Sequence, residues 1–518
     1  MKRTVMNMLN TQIKKLLLAA MTILASATLA TSCLEKYPEY AIPADKAINT
    51  LEELDQAAIG VYDAFKSGAL YSGYLTLLPD LQCDLAYAIN GYTNTYGNIW
   101  RWDILATNSE ITATYAALYD VIARANFLLE YAPRVEKTLT TDEQIATYEQ
   151  ICGEAYFARA LAYSELVKLF CKPYESREQA ENTPGVVIVT KYNTDEPMVR
   201  SSLAKSYDRV IEDLESAAQL MDIDENSLGG NLYNAVYFNE FTAYALRARV
   251  ALYMKDYKTA IEYSSRVIDS NLYMLSSATE LITADMSHFT YMWQYDDATE
   301  IIWKVGFTIN SYGGALGRVF FNYDYLSMKP DYVPAEWVLS LYDTSDLRYG
   351  NYFYSYTTGY SHALTWPLLV KYFGNQNFFN SQILHTLMPK PLRLAEQYLI
   401  RAEAYVEGET PNYALAAADI STLRAARYQS YGGGVSLNSN NAMTIIEEER
   451  IKELYMEGFR LMDLKRWHKG FERTPQSESL ENGSSLKIEA DDPLFVWPIP
   501  QHELESPGAM IEPNDSNK

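Results

Sequence analysis

Residues 445–467 read IIEEERIKELYMEGFRLMDLKRW, the most regular pattern in this 518-residue chain. Apolar residues recur at spacings of three and four, which predicts one amphipathic α-helix with a buried stripe. Charged residues follow the same spacing, so we expect ion pairs one turn apart along the flank of that stripe. The stretch predicts a long packed helix in a helical domain, and a carboxylate-rich catalytic helix is the alternative.

Gly458 is the exception within this pattern. Glycine in a helix interior destabilises it by about 1 kcal/mol, and a close approach by another backbone is the usual compensation. We therefore expect a neighbouring helix, predicted at residues 393–405, to cross closely at Gly458.

The composition is that of an acidic globular protein. Hydrophobic residues make up 48% of the chain, and the formal net charge is −23. Nucleic acid and anionic lipid both need a basic surface, so nucleic acid is not expected as a partner.

The sequence gives no sign of a metal or cofactor site. It contains no CxxC, HExxH or Walker-type motif and only five histidines, so we expect no catalytic residues, no metal and no cofactor. Cys83, Cys152 and Cys171 are widely and irregularly spaced, and buried free thiols are the expected state.

The N-terminus predicts export. Lys14 and Lys15 precede an apolar run at residues 16–30 that is too short for a permanent membrane span and is typical of a secretory signal. The following small residues and Cys33 resemble a bacterial lipobox. We predict a lipoprotein signal peptide at residues 1–32, acylation of Cys33 and an outer-membrane location exposed at the cell surface. An ordinary signal peptide with an incidental cysteine is the alternative.

Most of the remaining chain has helical periodicity. Helices are predicted at 50–67, 110–131, 141–170, 202–221, 234–254, 257–269, 391–407 and 412–428. Ala248, Tyr257 and Ala260 occupy the small and aromatic positions of a tetratricopeptide hairpin, and Tyr413 and Ala416 repeat the spacing. The predicted fold is mostly α, an α-solenoid of tetratricopeptide-like hairpins with a loop-rich insertion at about 271–390.

Two irregular regions carry the candidate binding residues. Residues 68–109 are predicted to be loop-like, and three insertion aromatics alternate at strand spacing. Exposed loop aromatics often stack on ligands, although core packing is the alternative for each. The candidate ligand-binding residues are Tyr92, Asn94, Tyr96 and Trp100 in the first loop, and Tyr291, Trp293, Tyr295, Tyr312, Tyr323 and Tyr325 in the insertion.

Four segments together resemble the SusD/RagB family of outer-membrane nutrient-binding lipoproteins. ERIKELYMEGFRLMDLKRW (449–467) is similar to the family helix E-R-x-x-E-L-x-x-E-G-x-R-x-x-D-L-x-R-W. RLAEQYLIRAEAY (393–405), ISTLRAARY (420–428) and WPIPQHELESPGAMIEPN (497–514) resemble three further family segments. Ala426 and Ser506 depart from the usual basic residue and asparagine.

The resemblance implies a tetratricopeptide-like fold with regions at 33–230 and 231–518 forming one unit. It also implies a SusC/RagA-like TonB-dependent transporter as partner, to which the lipoprotein delivers captured oligosaccharide, or alternatively oligopeptide. A secreted glycan-active enzyme and a protein-binding scaffold remain the alternatives from other classes.

Overall fold

The computed structural model describes residues 46–192, 197–221, 235–361, 363–473, 486–508 and 510–518. The predicted signal peptide and Cys33 lie outside these residues. Within them, no helix is both long and apolar enough to cross a membrane.

The described helices are α1 (Leu51–Ala64), α2 (Tyr74–Leu81), α3 (Gly97–Trp100), α4 (Ser109–Glu136), α5 (Asp142–Phe170), α6 (Arg177–Glu181), α7 (Leu203–Leu220), α8 (Glu240–Tyr253), α9 (Tyr257–Asp269), α10 (His288–Tyr295), α11 (Arg318–Phe321), α12 (Glu336–Leu339), α13 (Arg348–Tyr352), α14 (Gln376–Asn380), α15 (Leu394–Glu407), α16 (Tyr413–Arg427), α17 (Ala442–Glu453), α18 (Arg460–Arg466) and α19 (Gln501–Glu505). The described strands are β1 (Ala86–Ala88), β2 (Pro184–Val187), β3 (Arg200–Ser202), β4 (Ile301–Trp303), β5 (Tyr332–Pro334), β6 (Phe353–Thr357), β7 (Thr365–Leu369), β8 (Leu392–Arg393), β9 (Phe471–Arg473) and β10 (Leu486–Ile488). They pair antiparallel as β1 with β5, β2 with β3, β4 with β8, β6 with β7 and β9 with β10.

Helical hairpins form the scaffold, as predicted. Helix α5 packs against α4 and α7, α8 pairs with α9, and α15 packs against both α9 and α16. Ala248 and Ala260 are fully buried where α8 meets α9, and Ala416 is buried in the hairpin of α15 and α16. Small side chains at these points let the helices approach closely, and the tetratricopeptide-like fold is confirmed.

The stretch 445–467 is not one helix, so that prediction was wrong. Helix α17 ends at Glu453, a turn follows, and α18 begins at Arg460. Gly458 lies in the turn at φ +85°, a left-handed conformation that side chains with a Cβ rarely adopt. A Cβ there would lie 2.3 Å from the Leu75 carbonyl oxygen, so the close backbone neighbour is α2 and not α15.

The charged residues of this stretch do not line an exposed flank, because most of them are buried. Glu453 contacts three arginine guanidiniums, those of Arg348 at 3.1 Å, Arg427 at 3.0 Å and Arg393 at 2.9 Å. Glu300 joins them, 2.7 Å from Arg393 and 2.9 Å from Arg427. The charges of α17 therefore tie the insertion to α15 and α16 across long sequence separations. Ion pairs one turn apart are present too, as between Asp463 and Arg466.

The region 68–109 and the insertion share a second hydrophobic core. Strand β1 pairs with β5 in the register Ala86↔Pro334, Tyr87↔Val333 and Ala88↔Tyr332. The region 68–109 is thus less loop-like than predicted, since it contains α2, α3 and β1. Helix α2 is buried on nearly all sides, so it lacks the amphipathic period that would have indicated a helix.

The three described cysteines are buried and free, as predicted: Cys83, Cys152 and Cys171.

Candidate functional site

The first loop, residues 91–100, is fixed in place by the start of β5. The Thr93 amide donates to an Asp331 carboxylate oxygen at 2.7 Å, and its hydroxyl donates to the same carboxylate at 2.8 Å. The Tyr332 hydroxyl donates to the Thr95 carbonyl at 2.6 Å. These bonds hold an otherwise irregular segment in one conformation.

Within this loop, Asn94 and Tyr96 both have left-handed backbones, with φ of +64° and +58°. The Asn94 Oδ1 atom accepts from the Tyr92 hydroxyl at 3.0 Å and from Arg101 at 2.8 Å. The Tyr96 ring packs edge-on against Tyr74, with centroids 5.6 Å apart. The loop thus presents two half-buried tyrosines and an exposed asparagine in fixed positions.

A second loop, residues 322–327, presents Tyr323 and Tyr325. Their ring centroids lie 5.5 Å apart, and 54% of the Tyr325 surface is exposed. The Asp324 carboxylate accepts from the Leu326 amide at 3.0 Å and the Ser327 amide at 2.8 Å, which closes the turn. These bonds from the backbone lower the pKa of Asp324. The Asp324 carboxylate therefore stabilises the turn.

Arg318, the first residue of α11, is near residues of both loops. Its guanidinium is close enough to act on the pKa of both Tyr96 and His385, and the His385 ring contacts the Tyr323 backbone at 3.1 Å. Burial raises the pKa of Tyr96 to about 12, and Arg318 opposes that rise. Burial lowers the pKa of His385, and Arg318 lowers it further. Arg318 is exposed, and no hydrogen bond or ion pair joins its guanidinium to the described residues.

We call this surface the tyrosine face. Its members come from both loops and from α11: Tyr92, Asn94, Tyr96, Arg318, Tyr323 and Tyr325. Flat amphipathic rings, an amide and an unpaired guanidinium can together bind a ligand that has both apolar faces and hydroxyl or carbonyl groups.

Five sequence-predicted residues are not part of this face. Trp100 is fully buried, and its Nε1 donates to the Ala86 carbonyl at 3.2 Å. Tyr291, Trp293 and Tyr295 lie in α10, so the strand expected from their alternation was wrong. Trp293 is buried, whereas Tyr291 and Tyr295 stack on each other with centroids 4.7 Å apart.

Tyr312 is the fifth. It is 47% exposed and stands beside two glycines that pack on Ser72, without a ring contact to the other candidates among the described residues.

Several residues around the face have no signal in the sequence. Arg318 belongs to a one-turn helix with no periodicity of its own, and Tyr74 lies in the buried helix α2. Phe373 and Phe379 support the second loop, with Phe373 5.9 Å from the Tyr323 ring and Phe379 6.4 Å from the Tyr325 ring. Only the tertiary structure brings these segments together.

The described residues include no cluster of histidine, cysteine, aspartate and glutamate that could hold a metal ion.

The fold and the face together define a tetratricopeptide-like helical protein with a loop-built surface. Residues 33–252 match a SusD-like family model described as "Starch-binding associating with outer membrane", and residues 341–515 match the model of the SusD family. The chain belongs to the SusD/RagB family. A search of curated proteins gives no match.

Solved structures share the fold. A SusD superfamily protein from Bacteroides thetaiotaomicron is 23% identical, with a TM-score of 0.75 over 90% of this chain and 99% of that one. A putative sugar binding protein from Bacteroides vulgatus is 21% identical, with a TM-score of 0.74 over 91% and 100%. Surface glycan-binding protein A from Bacteroides uniformis is 17% identical, with a TM-score of 0.68 over 90% and 100%.

Proposed function

We propose that this chain is a lipid-anchored surface protein that captures an oligosaccharide and delivers it to a SusC/RagA-like TonB-dependent transporter in the outer membrane. The family assignment and the glycan-binding and sugar-binding names of two structural relatives support this role. The observation that carries the proposal is the tyrosine face. A sugar ring buries its C–H edges against aromatic rings while polar side chains bind its hydroxyls, and the face offers both kinds of group.

Oligopeptide is the alternative cargo, and Arg318 is the residue that could favour it by pairing with a carboxylate. A glycan-active enzyme is less well supported. Glycoside hydrolysis commonly uses two carboxyl groups that flank the bond to be cleaved. Two acids at the face both hold loop backbone in place: Asp324 accepts from the Ser327 amide of its own loop, and Asp331 accepts from the Thr93 amide of the first loop.

Replacing Tyr96 or Tyr325 with alanine is expected to weaken oligosaccharide binding about tenfold, or about 1.4 kcal/mol, because a stacking ring is lost. Isothermal titration with the purified protein measures the change, using a panel of neutral oligosaccharides and oligopeptides. Tyr237→Ala is the matched control, since Tyr237 is equally exposed but packs on Tyr62 of α1. Unchanged affinity in both face variants would remove this surface from the binding site. A preference for peptides would support the alternative cargo.

Cys33→Ser is expected to move the protein from the membrane fraction to the soluble fraction, because serine cannot carry the thioether-linked lipid that anchors the chain. Fractionation and immunoblotting measure this, with Cys152→Ala as a control that leaves the lipobox intact.

Wild-type protein extracted in mild detergent should copurify with a TonB-dependent barrel. A serine variant that stays in the membrane would refute the anchor, and copurification without a barrel would favour a scaffold.

A further inference from the structure

A cleft of about 310 Å³ lies beside the tyrosine face. We name it the hairpin cleft because the β6–β7 hairpin forms one wall, while α10, α13 and the segment 370–376 form the rest. The lining residues on which the argument depends are Gln294, Tyr354, Tyr356, Lys371, Phe373 and Gln376. Its volume is at the small end of the range for ligand pockets, roughly 300–1,000 Å³.

One wall of the cleft is an aromatic platform. Tyr354 and Tyr356 point to the same side of β6 because strand side chains alternate, and their ring centroids lie 4.9 Å apart. Tyr354 is 60% exposed and Tyr356 is 37% exposed. Two tyrosines held this far into solvent contribute little to the core, and together they make a surface on which a flat ring can stack.

The opposite wall supplies hydrogen-bonding groups. Thr290 and Gln294 are one turn apart on α10, which puts both on the side that lines the cleft. The side-chain amides of Gln294 and Gln376 make no hydrogen bond to the described residues, so each offers a free donor and a free acceptor. Trp293 also lines the cleft, but its Nε1 is buried, makes no hydrogen bond to the described residues and does not count among these groups.

Among the described residues that line the cleft, none carries an unpaired charge. Lys371 is its one ionisable lining side chain other than the tyrosines, and it is buried. Its Nζ donates to Glu457 at 2.6 Å and to the Tyr455 carbonyl at 2.9 Å. A carboxylate or ammonium group entering the cleft would lose water without gaining a free counterion, which is unfavourable. Hydroxyl groups carry no such penalty.

Phe373 connects the cleft with the tyrosine face. It lines the cleft, and its ring centroid lies 5.9 Å from that of Tyr323. The cleft therefore borders the tyrosine face at Phe373.

We propose that the hairpin cleft is a second saccharide subsite that takes a neutral sugar unit, and that the cargo is a neutral oligosaccharide long or branched enough to reach both places. This inference rests on the proposed function, since it presupposes that the tyrosine face binds glycan. It goes further by assigning a new site and by selecting neutral sugars over uronic acids and peptides.

The test compares the full-length protein in detergent with three variants: Tyr354→Ala/Tyr356→Ala and Gln294→Glu in the cleft, and Tyr325→Ala on the face. Probes are disaccharides and longer oligosaccharides of the same linkage from neutral glucans, xylans and mannans, together with uronic-acid oligosaccharides and oligopeptides. Both cleft variants should weaken binding of the longer neutral oligosaccharide about tenfold and leave that of the disaccharide within about twofold. Tyr325→Ala should weaken both, and Tyr237→Ala should weaken neither. Thermal unfolding checks that each variant is folded.

Each of the other outcomes would refute a specific part of the proposal. If Tyr325→Ala weakens binding and the cleft variants bind the longer oligosaccharide like wild type, the second subsite is refuted. Glycan binding at the tyrosine face is then still supported. If cleft variants weaken both lengths equally, the cleft is not an extension of the face. Preferential binding of uronic acids or peptides refutes the assignment to neutral sugars. No binding to any neutral probe, or no effect of any variant, refutes the proposed function and the cleft with it.

Discussion

Glu453→Gln is expected to lower the free energy of unfolding by about 3 kcal/mol, in the range reported for removing one partner of a buried ion pair. Glu453 is fully buried and balances Arg348, Arg393 and Arg427. A neutral amide of the same shape leaves those guanidiniums with fewer counter-charges and places NH₂ hydrogens where carboxylate oxygens accepted. Urea unfolding monitored by circular dichroism measures the change.

Glu448→Gln is the matched control. It lies in the same helix without an ion pair to the described residues, and its effect should stay within about 0.5 kcal/mol. An equal urea midpoint for Glu453→Gln and wild type would contradict the network's role.

The same comparison should depend on pH. Burial alone would raise the pKa of Glu453, but the guanidiniums of Arg427 and Arg393 lower it well below its ordinary value of 4.5. A lowered folded-state pKa contributes stability that is complete above about pH 4.5 and is lost as the pH falls through the folded-state value. The difference between wild type and Glu453→Gln should therefore shrink in acid. Glu449, whose pKa is lowered to about 2 by Arg348, Lys452 and Arg424 against the effect of burial, adds to the acid sensitivity of the wild type.

Gly458→Ala is expected to lower the free energy of unfolding by roughly 2–5 kcal/mol. The left-handed conformation at φ +85° costs a residue with a Cβ about 1–2 kcal/mol. The new methyl group would also lie 2.3 Å from the Leu75 carbonyl oxygen, and overpacking of this kind costs about 1–3 kcal/mol. The clashing atom belongs to the backbone, so backbone must move to relieve the contact. The Gly458 amide also donates to the Asp80 carboxylate at 3.0 Å, which holds the turn in place.

Gly60→Ala in α1 is the control for this substitution. A Cβ there meets nothing within 4 Å, so alanine should stabilise the helix by about 0.5–1 kcal/mol. Thermal unfolding of both variants measures the contrast. A Gly458→Ala variant as stable as wild type would show that the turn can relax away from α2.

The helical scaffold could be predicted because its helices have one buried face. Ala248, Tyr257 and Ala260 were placed correctly from spacing alone, and α9 begins and ends at the predicted residues. Where a helix is buried on all sides, its sequence has no amphipathic period. Helix α2 has no such pattern for this reason. In α10, the every-second-residue spacing of Tyr291, Trp293 and Tyr295 indicates a strand, but these residues lie at different depths around a helix.

The candidate site could be predicted only in part. Aromatics in irregular segments pointed to the first loop and to Tyr323 and Tyr325, but the same criterion included Trp100 and Trp293, which are buried. A tyrosine or tryptophan in a loop is equally compatible with the core and with the surface. Arg318 and the hairpin cleft had no sequence signal, since their partners are distant in the chain.

By itself, the sequence determined the family and the hairpin scaffold, because helical periodicity and the ERIKELYMEGFRLMDLKRW pattern are local properties of the chain. Only the tertiary structure decided that this stretch bends at Gly458, that its charges are buried, and which tyrosines reach solvent. The physical reason is that burial and charge compensation depend on which distant segments meet, as Glu453 meets Arg348 and as β1 meets β5.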